Sequence, residues 1–245
     1  MIVGFVGSGS MAAAMARGWK DEFEVMLFSD SGSGRAQALA GELGGEAATN
    51  TEIASRADLV VVAVKPGKLD DVAPELATAK RIASVLAAVS VDRLNAAFPQ
   101  VEVLRVMPNV GVEVRKGVLC VAGTASDEVL DKLSALGHVV ELADEDFDAA
   151  TAVMGCAPAY LALAVEAIAD AGAVDGLDPE LARELVVETT VGTAELLRIQ
   201  HPADLRKAVA SPGGSTEAGL EALDREGARE AFEAAVRASL ERMRG

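Results

Sequence analysis

Basic residues are scarce in this chain: 22 Lys and Arg stand against 38 Asp and Glu, for a formal charge of -16 over 245 residues. That deficit argues against nucleic acid or an anionic membrane surface as partner, because the cations that neutralise phosphates are missing. Histidine is nearly absent, with His138 and His201 alone, and there are only two cysteines, Cys120 and Cys156. Cysteines this far apart, without metal-ligand spacing, predict neither a disulfide framework nor a zinc site, and no metal is expected. Free thiols fit a reducing cytoplasm. No uninterrupted apolar run reads as long enough to span a bilayer. The opening "MIVGFVGSG" is too short and glycine-rich for a signal peptide and lacks a basic n-region. Aromatics are thin as well, at one Trp, one Tyr and six Phe.

What is present is apolar and alanine-rich, with room for one large domain or two modest ones. Short β-branched runs alternate with helical segments through the first part. Strands are expected at 2–6, 25–28, 59–64, 82–89, 101–107, 118–122 and 139–142, and helices from about Met11, over 34–43 and over 127–136. Continuous apolar strands such as "LVVVAV" are buried on both faces in a doubly wound parallel sheet, and strand–helix alternation points the same way. After Asp144 no strand pattern remains. "PAYLALAVEAIADAG" reads as a helix with Pro158 in its first turn and Gly172 as its stop. "DPELARELVVETTVGTAELLRI" opens on Asp178 as N-cap and Pro179 at N1. The expectation is an α/β dinucleotide-binding Rossmann domain over 1–145 and an all-α domain over 146–245.

"GFVGSGSMAAAMARG" sets Gly7, Gly9 and Ala12 in a G-x-G-x-x-[GA] frame between a strand and a helix. Glycines there permit a tight turn and let the backbone approach a pyrophosphate at the helix N-terminus; a tight turn without a ligand is the plainer alternative. After the second strand, Asp30 lies where an acidic residue binds the ribose 2′-hydroxyl of NAD. Ser29, Ser31, Ser33 and Arg35 suit a 2′-phosphate instead, so NADP is preferred with NAD left open. Two strands then end in proline on the same sheet edge, at Ala63-Val64-Lys65-Pro66 and at Met107-Pro108-Asn109. Together they outline a nicotinamide cleft, with Asn109 also suited to turning the chain.

With these pieces in order the chain resembles the pyrroline-5-carboxylate reductase family. The resemblance runs through "GFVGSGSMAAAMARG", "AVKP", "RVMPN", "APAYLALAVEAIADAGAVDGL" and "VASPGGSTEAGLEALDREGAREAFEAAV". It implies a Rossmann domain followed by a helical domain that interlocks with another subunit, giving a homodimer or a ring of dimers. It implies hydride transfer from NADPH to the C=N bond of a cyclic imino acid, the last step of proline biosynthesis. Its cofactor residues fall on Gly7, Ser8, Gly9, Ser10, Met11, Ser29, Asn50, Ala63, Lys65 and Pro66. Its substrate loop falls on Ser211, Gly213, Gly214, Ser215 and Thr216.

Three stretches depart from the family pattern. Met154-Gly155-Cys156-Ala157 replaces Ser-Gly-Ser-Gly, placing Met154 and Cys156 beside the imine pocket; Glu188-Thr189 replaces Gln-Thr; and Val110-Gly111 replaces Thr-Pro. They leave two alternatives: a reductase of another cyclic imino acid, or a non-catalytic dinucleotide-binding regulator. A β-hydroxyacid dehydrogenase needs an acid–base lysine in the helical domain, and Lys207 is misplaced for that.

The histidine shortage suits imine reduction. A protonated imine is charged before hydride arrives, so no strong acid must neutralise a developing alkoxide. Orientation supplies much of the rate. Backbone N–H groups from Gly213 to Thr216 suit a substrate carboxylate, and the Thr216 hydroxyl suits the ring nitrogen as the catalytic contact. Taken from pattern alone, Ser215 or Thr216 reads as an ordinary N-cap. Cys156 has no neighbouring base to activate it and reads as packing, and Tyr160 reads as a helix anchor.

Overall fold

The computed structural model describes residues 1–244. It divides into two compact units, Met1–Gly155 and Cys156–Met243, about ten residues beyond the expected boundary at 145/146.

The first unit is an eight-stranded sheet in the order β3-β2-β1-β4-β5-β6-β7-β8. Its strands are β1 (Ile2–Val6), β2 (Val25–Ser29), β3 (Glu46–Ala47), β4 (Leu59–Val62), β5 (Arg81–Ser84), β6 (Glu102–Pro108), β7 (Gly117–Gly123) and β8 (Gly137–Glu141). Helices α1 (Ser10–Gly18), α2 (Arg35–Leu43), α3 (Asn50–Arg56), one-turn α4 (Leu69–Val72), α5 (Val91–Ala97) and α6 (Asp127–Ser134) cover its faces. One apolar cluster joins Phe5, Met15, Trp19, Phe28 and Val106 on one side of the sheet. A second joins Leu27, Ile53, Val62, Ile82 and Leu94 on the other. All four β4 residues are buried, as a central strand covered on both faces requires.

The sheet departs from an all-parallel one at β6. β7 pairs antiparallel with β6, and β8 then runs parallel to β7. The connection after β6 is a short 3-10 turn, Val110–Val114, closed by Arg115 in the left-handed region (φ 57). That is too short to carry a crossover helix back to the start of a parallel neighbour.

A second departure is the segment after β8. One-turn α7 (Phe147–Ala150) and a π-helical turn, Thr151–Gly155, lead into α8 (Ala157–Val174). Asp144–Val174 forms a continuous helical path long and apolar enough to cross a bilayer by length and composition, with only 11% of its most apolar window buried. The expectation of no such run is corrected here: Ala, Gly and Pro dilute the apolar side chains without interrupting the helix.

The second unit continues with α9 (Pro179–Leu197), α10 (Pro202–Val209), α11 (Ser215–Arg225) and α12 (Ala228–Arg244). Asp178 caps α9, accepting from the N–H groups of Glu180 and Leu181, with Pro179 in the first turn. Gly172, expected as the end of α8, lies inside it. A side chain there would meet Leu177 Cδ1 at 3.3 Å and Ala182 Cβ at 3.7 Å, so this glycine lets α8 and α9 approach. The turn that ends α8 uses Gly176 instead, at φ 104.

Candidate active site

The cleft of the first unit opens at the carboxyl ends of β1, β2 and β4, where strand order reverses direction and open α/β sheets bind ligands. It encloses about 590 Å³ and is lined by Gly7, Ser8, Gly9, Ser29, Asp30, Asn50, Ala63, Val64 and Lys65 among others. Gly7 sits at φ 96, and a Cβ there would lie 2.7 Å from the Ala63 carbonyl oxygen. The two strand ends thus close on a residue that must be glycine. Gly9 differs. It is the N-cap of α1 with no side-chain cap, and a Cβ there would meet nothing within 4 Å. Protein packing does not require this glycine; the open space over bare N–H groups fits a bound pyrophosphate. Ala12 is fully buried, as close helix–sheet packing needs.

The floor of the cleft is a hydrogen-bonded series. Ser8 Oγ donates to the Ser29 carbonyl at 2.9 Å, Ser29 Oγ donates to Asn50 Oδ1 at 2.5 Å, and Asn50 Nδ2 donates to Glu75 Oε2 at 2.6 Å. Glu75 escaped the sequence reading because no motif marks it. Ser10 and Met11 face a neighbouring recess of about 630 Å³ between α1 and α2, which shares Ser8, Gly9 and Arg35 with the first. Pro66 opens the 3-10 turn Pro66–Lys68 after Lys65.

Asp30 and Arg35 divide the roles that the sequence left open. Both oxygens of Asp30 are taken: Oδ1 accepts from Gly32 N–H at 2.7 Å and Ser33 N–H at 3.1 Å, and Oδ2 from Ala36 N–H at 2.9 Å and Ser33 Oγ at 3.0 Å. These donors, the Ala36 N–H foremost, hold its pKa down at about 2. Four donors fill the acceptor sites of a carboxylate, so Asp30 folds the turn into α2. Arg35 stands at the first position of α2 with no carboxylate partner among the described residues, beside Ser31 and Ser33 in the cleft wall. Nearby Arg17 is committed to Glu42 and Glu113, and Lys68 to Asp71. Lys65, like Arg35, has no carboxylate partner among the described residues.

At the end of β6, Asn109 turns the chain as expected. Its Oδ1 accepts from Gly111 N–H at 3.2 Å and Val118 N–H at 3.1 Å, and its Nδ2 donates to the Met154 carbonyl at 3.1 Å. Met107 and Met154 both pack against the cluster of Cys120, Ala122 and Phe147. Burial pushes the Cys120 thiol pKa up, consistent with packing. Arg105, on the same face of β6, is buried with its guanidinium over the Phe147 ring and on Asp144 Oδ1 at 2.8 Å.

In the second unit the loop Ser211–Gly214 enters α11. The N-cap is Gly214, and no side chain caps the helix. Ser215 and Thr216 are therefore the first helical residues rather than caps, which removes the plain capping explanation for both. Gly213, at φ 73, donates its N–H to Glu217 Oε2 at 2.7 Å. Glu217 went unremarked in the sequence, although glutamate at the third helical position commonly reaches back across a helix start. Tyr160 anchors α8 to α12 through Ser239 Oγ at 2.5 Å and the Ala235 carbonyl at 3.3 Å. His201 caps α10, its Nδ1 accepting from Ala203 N–H, and His138 is exposed on β8. Glu188 lies exposed on α9.

The family model for pyrroline-5-carboxylate reductase dimerisation matches residues 144–245, and the model described as NADP oxidoreductase coenzyme F420-dependent matches residues 2–90. Pyrroline-5-carboxylate reductase of Synechocystis sp. is 40% identical, over 79% of this chain and 76% of its own. The solved 1-pyrroline-5-carboxylate reductase of Streptococcus pyogenes superposes with a TM-score of 0.90 at 31% identity, covering 99% of this chain and 98% of that one. The chain belongs to the pyrroline-5-carboxylate reductase family. The Plasmodium falciparum pyrroline carboxylate reductase solved with NADP bound is similar too, with a TM-score of 0.86 at 26% identity over 99% and 97% of the two chains. Membership gives the exposed apolar helix after Asp144 a reading other than a membrane span, since it lies within the segment matched by the dimerisation model.

Proposed function

We propose that this chain reduces 1-pyrroline-5-carboxylate to L-proline with NADPH. The observation that carries the cofactor side is Gly9, where open space lies over the uncapped N–H groups that begin α1. The chemistry that a bound NADPH would supply is a hydride for the imine carbon. The Gly7–Met11 backbone holds the pyrophosphate, and Arg35 with Ser31 and Ser33 holds the 2′-phosphate, which favours NADPH over NADH. Ala63, Val64 and Lys65, which also line the cleft, would border the nicotinamide.

On the substrate side, the N–H groups of Gly214, Ser215 and Thr216 receive the carboxylate at the start of α11. The substrate must compete with Glu217 for the Gly213 N–H. Thr216 Oγ1 hydrogen-bonds the ring nitrogen and fixes the imine face. The imine arrives protonated from solvent, takes hydride at carbon, and leaves as the secondary amine, so charge and atoms balance without a histidine. Met154 and Cys156 border the ring.

The working form is a homodimer or a ring of dimers in the cytoplasm. Leu161, Leu163 and Ile168 of α8 and Val191 of α9 are 58%, 65%, 60% and 55% exposed, an apolar surface that a second copy of the chain covers. A panel of five- and six-membered cyclic imino acids with NADPH tests the function. Turnover of the five-membered substrate supports it. Preference for a six-membered imine, or cofactor binding without turnover, overturns it.

A further inference from the structure

Arg105 and Met107 alternate along β6 and so share one face of the strand, and Asn109 continues it in extended conformation just past Pro108. Arg105 and Asn109 contact the segment between β8 and α8 directly, and Met107 packs on the cluster beneath it. Arg105 binds Asp144 and lies over Phe147, Met107 packs in the cluster that includes Phe147, Ala150 and Met154, and Asn109 holds the Met154 carbonyl. Asn109 is the member with two allegiances. Its oxygen shapes the turn Val110–Val114, and that turn packs on α1, where Gly18 is too close to Val112 for any side chain and Arg115 Nε donates to the Gly18 carbonyl at 2.7 Å. Its nitrogen reaches the other way, to a carbonyl in the π-helical turn. A π turn leaves its backbone bonds irregular, so its geometry needs outside support. Inside the turn, the Thr151 hydroxyl donates to the Phe147 carbonyl at 2.6 Å, and Gly155 leaves a side chain only 3.1 Å from Thr151 Cγ2.

We infer that Asn109 is a positioning residue for imine reduction: through the Met154 carbonyl it sets the π turn, and with it Met154, against the end of β6 and the turn that packs on α1. Both ends of the Asn109 amide are engaged with the protein. This rests on the reading that Met154 and Cys156 border the imine as one wall.

Asn109→Asp separates the two halves of the amide. The carboxylate still accepts from Gly111 and Val118, loses the donation to Met154, and sets an oxygen against that carbonyl. The expected result is a tenfold or greater fall in kcat/KM for pyrroline-5-carboxylate, with NADPH Kd within twofold of the parent. Thr151→Val, which loosens the same turn from inside, gives the same split and serves if Asn109→Asp does not fold. Met154→Ala, measured alongside, tests the wall itself through the KM for the imine. Equal losses of NADPH and imine affinity in Asn109→Asp overturn the inference, because the residue then acts through the cofactor. An unchanged kcat/KM in Asn109→Asp, with a changed imine KM in Met154→Ala, overturns it while leaving the wall in place. No change in either variant removes the wall, and the inference with it.

Discussion

Arg35 and Asp30 belong to one turn yet do opposite things. Arg35 is a cation without a partner in a chain carrying a charge of -16; Asp30 is a carboxylate with every acceptor site filled. Arg35→Ala is expected to weaken NADPH binding about tenfold to a hundredfold, the worth of one or two charge-assisted hydrogen bonds, while NADH affinity stays near the parent value. Comparable losses for both cofactors would remove Arg35 from the 2′-phosphate. Asp30→Asn keeps an acceptor but sets an amide against Ala36 N–H, so it should lower Tm and weaken both cofactors together. Because the folded pKa of Asp30 is depressed to about 2 from 3.8, its stabilisation is complete above about pH 4 and is lost as the pH falls through about 2. Thermal melts from pH 6 to pH 2 should show a shallower acid loss for Asp30→Asn than for the parent; parallel curves would contradict the assignment. The sequence left Asp30 ambiguous because Ser-Gly-Ser-Gly after a strand permits either a free acid or a folded turn, and only the fold shows the four donors.

At the scale of elements, the strand pattern was legible because buried strands are continuous apolar runs. β1 falls on the expected residues and β4 ends near them. β5 stops at Ser84 although the apolar run continues, since Ala88 takes a left-handed conformation (φ 56) in the loop beyond. β3 was missed: two exposed residues, Glu46 and Ala47, carry no pattern at a sheet edge. The antiparallel β7 and the π turn were illegible for a different reason, as periodicity reports burial and not strand direction or hydrogen-bond register. Gly172 shows the limit of reading glycine as a stop, because close helix approach uses the same residue. Of the candidate site, the glycine loop and the α11 loop were legible as motifs, whereas the tie from Asn109 to Met154 joins residues far apart in sequence. Gly7→Ala should destabilise the first unit by about 1–3 kcal/mol, from a strained φ and the Ala63 carbonyl, as read by denaturant unfolding. A loss below that range would mean the turn relaxes.

For the whole molecule, few residues of the second unit are buried within one chain, Ala169 and Ala182 among them. Helices with this much exposed apolar surface are stable when a partner covers them. Leu163→Glu on α8 should therefore shift the mass in light scattering toward the monomer and lower activity with it; an unchanged oligomer would place the interface elsewhere. Hydride transfer to the imine is the central claim, and Thr216 is the side chain proposed to hold the ring nitrogen. The direct measurement is steady-state NADPH oxidation with pyrroline-5-carboxylate by the parent and by Thr216→Ala, with NADPH affinity measured separately. The account predicts proline as product and a tenfold to hundredfold lower kcat/KM for the variant, the worth of one hydrogen bond to the charged ring nitrogen, at unchanged NADPH affinity. Full activity in Thr216→Ala, or no proline from the parent, would contradict it.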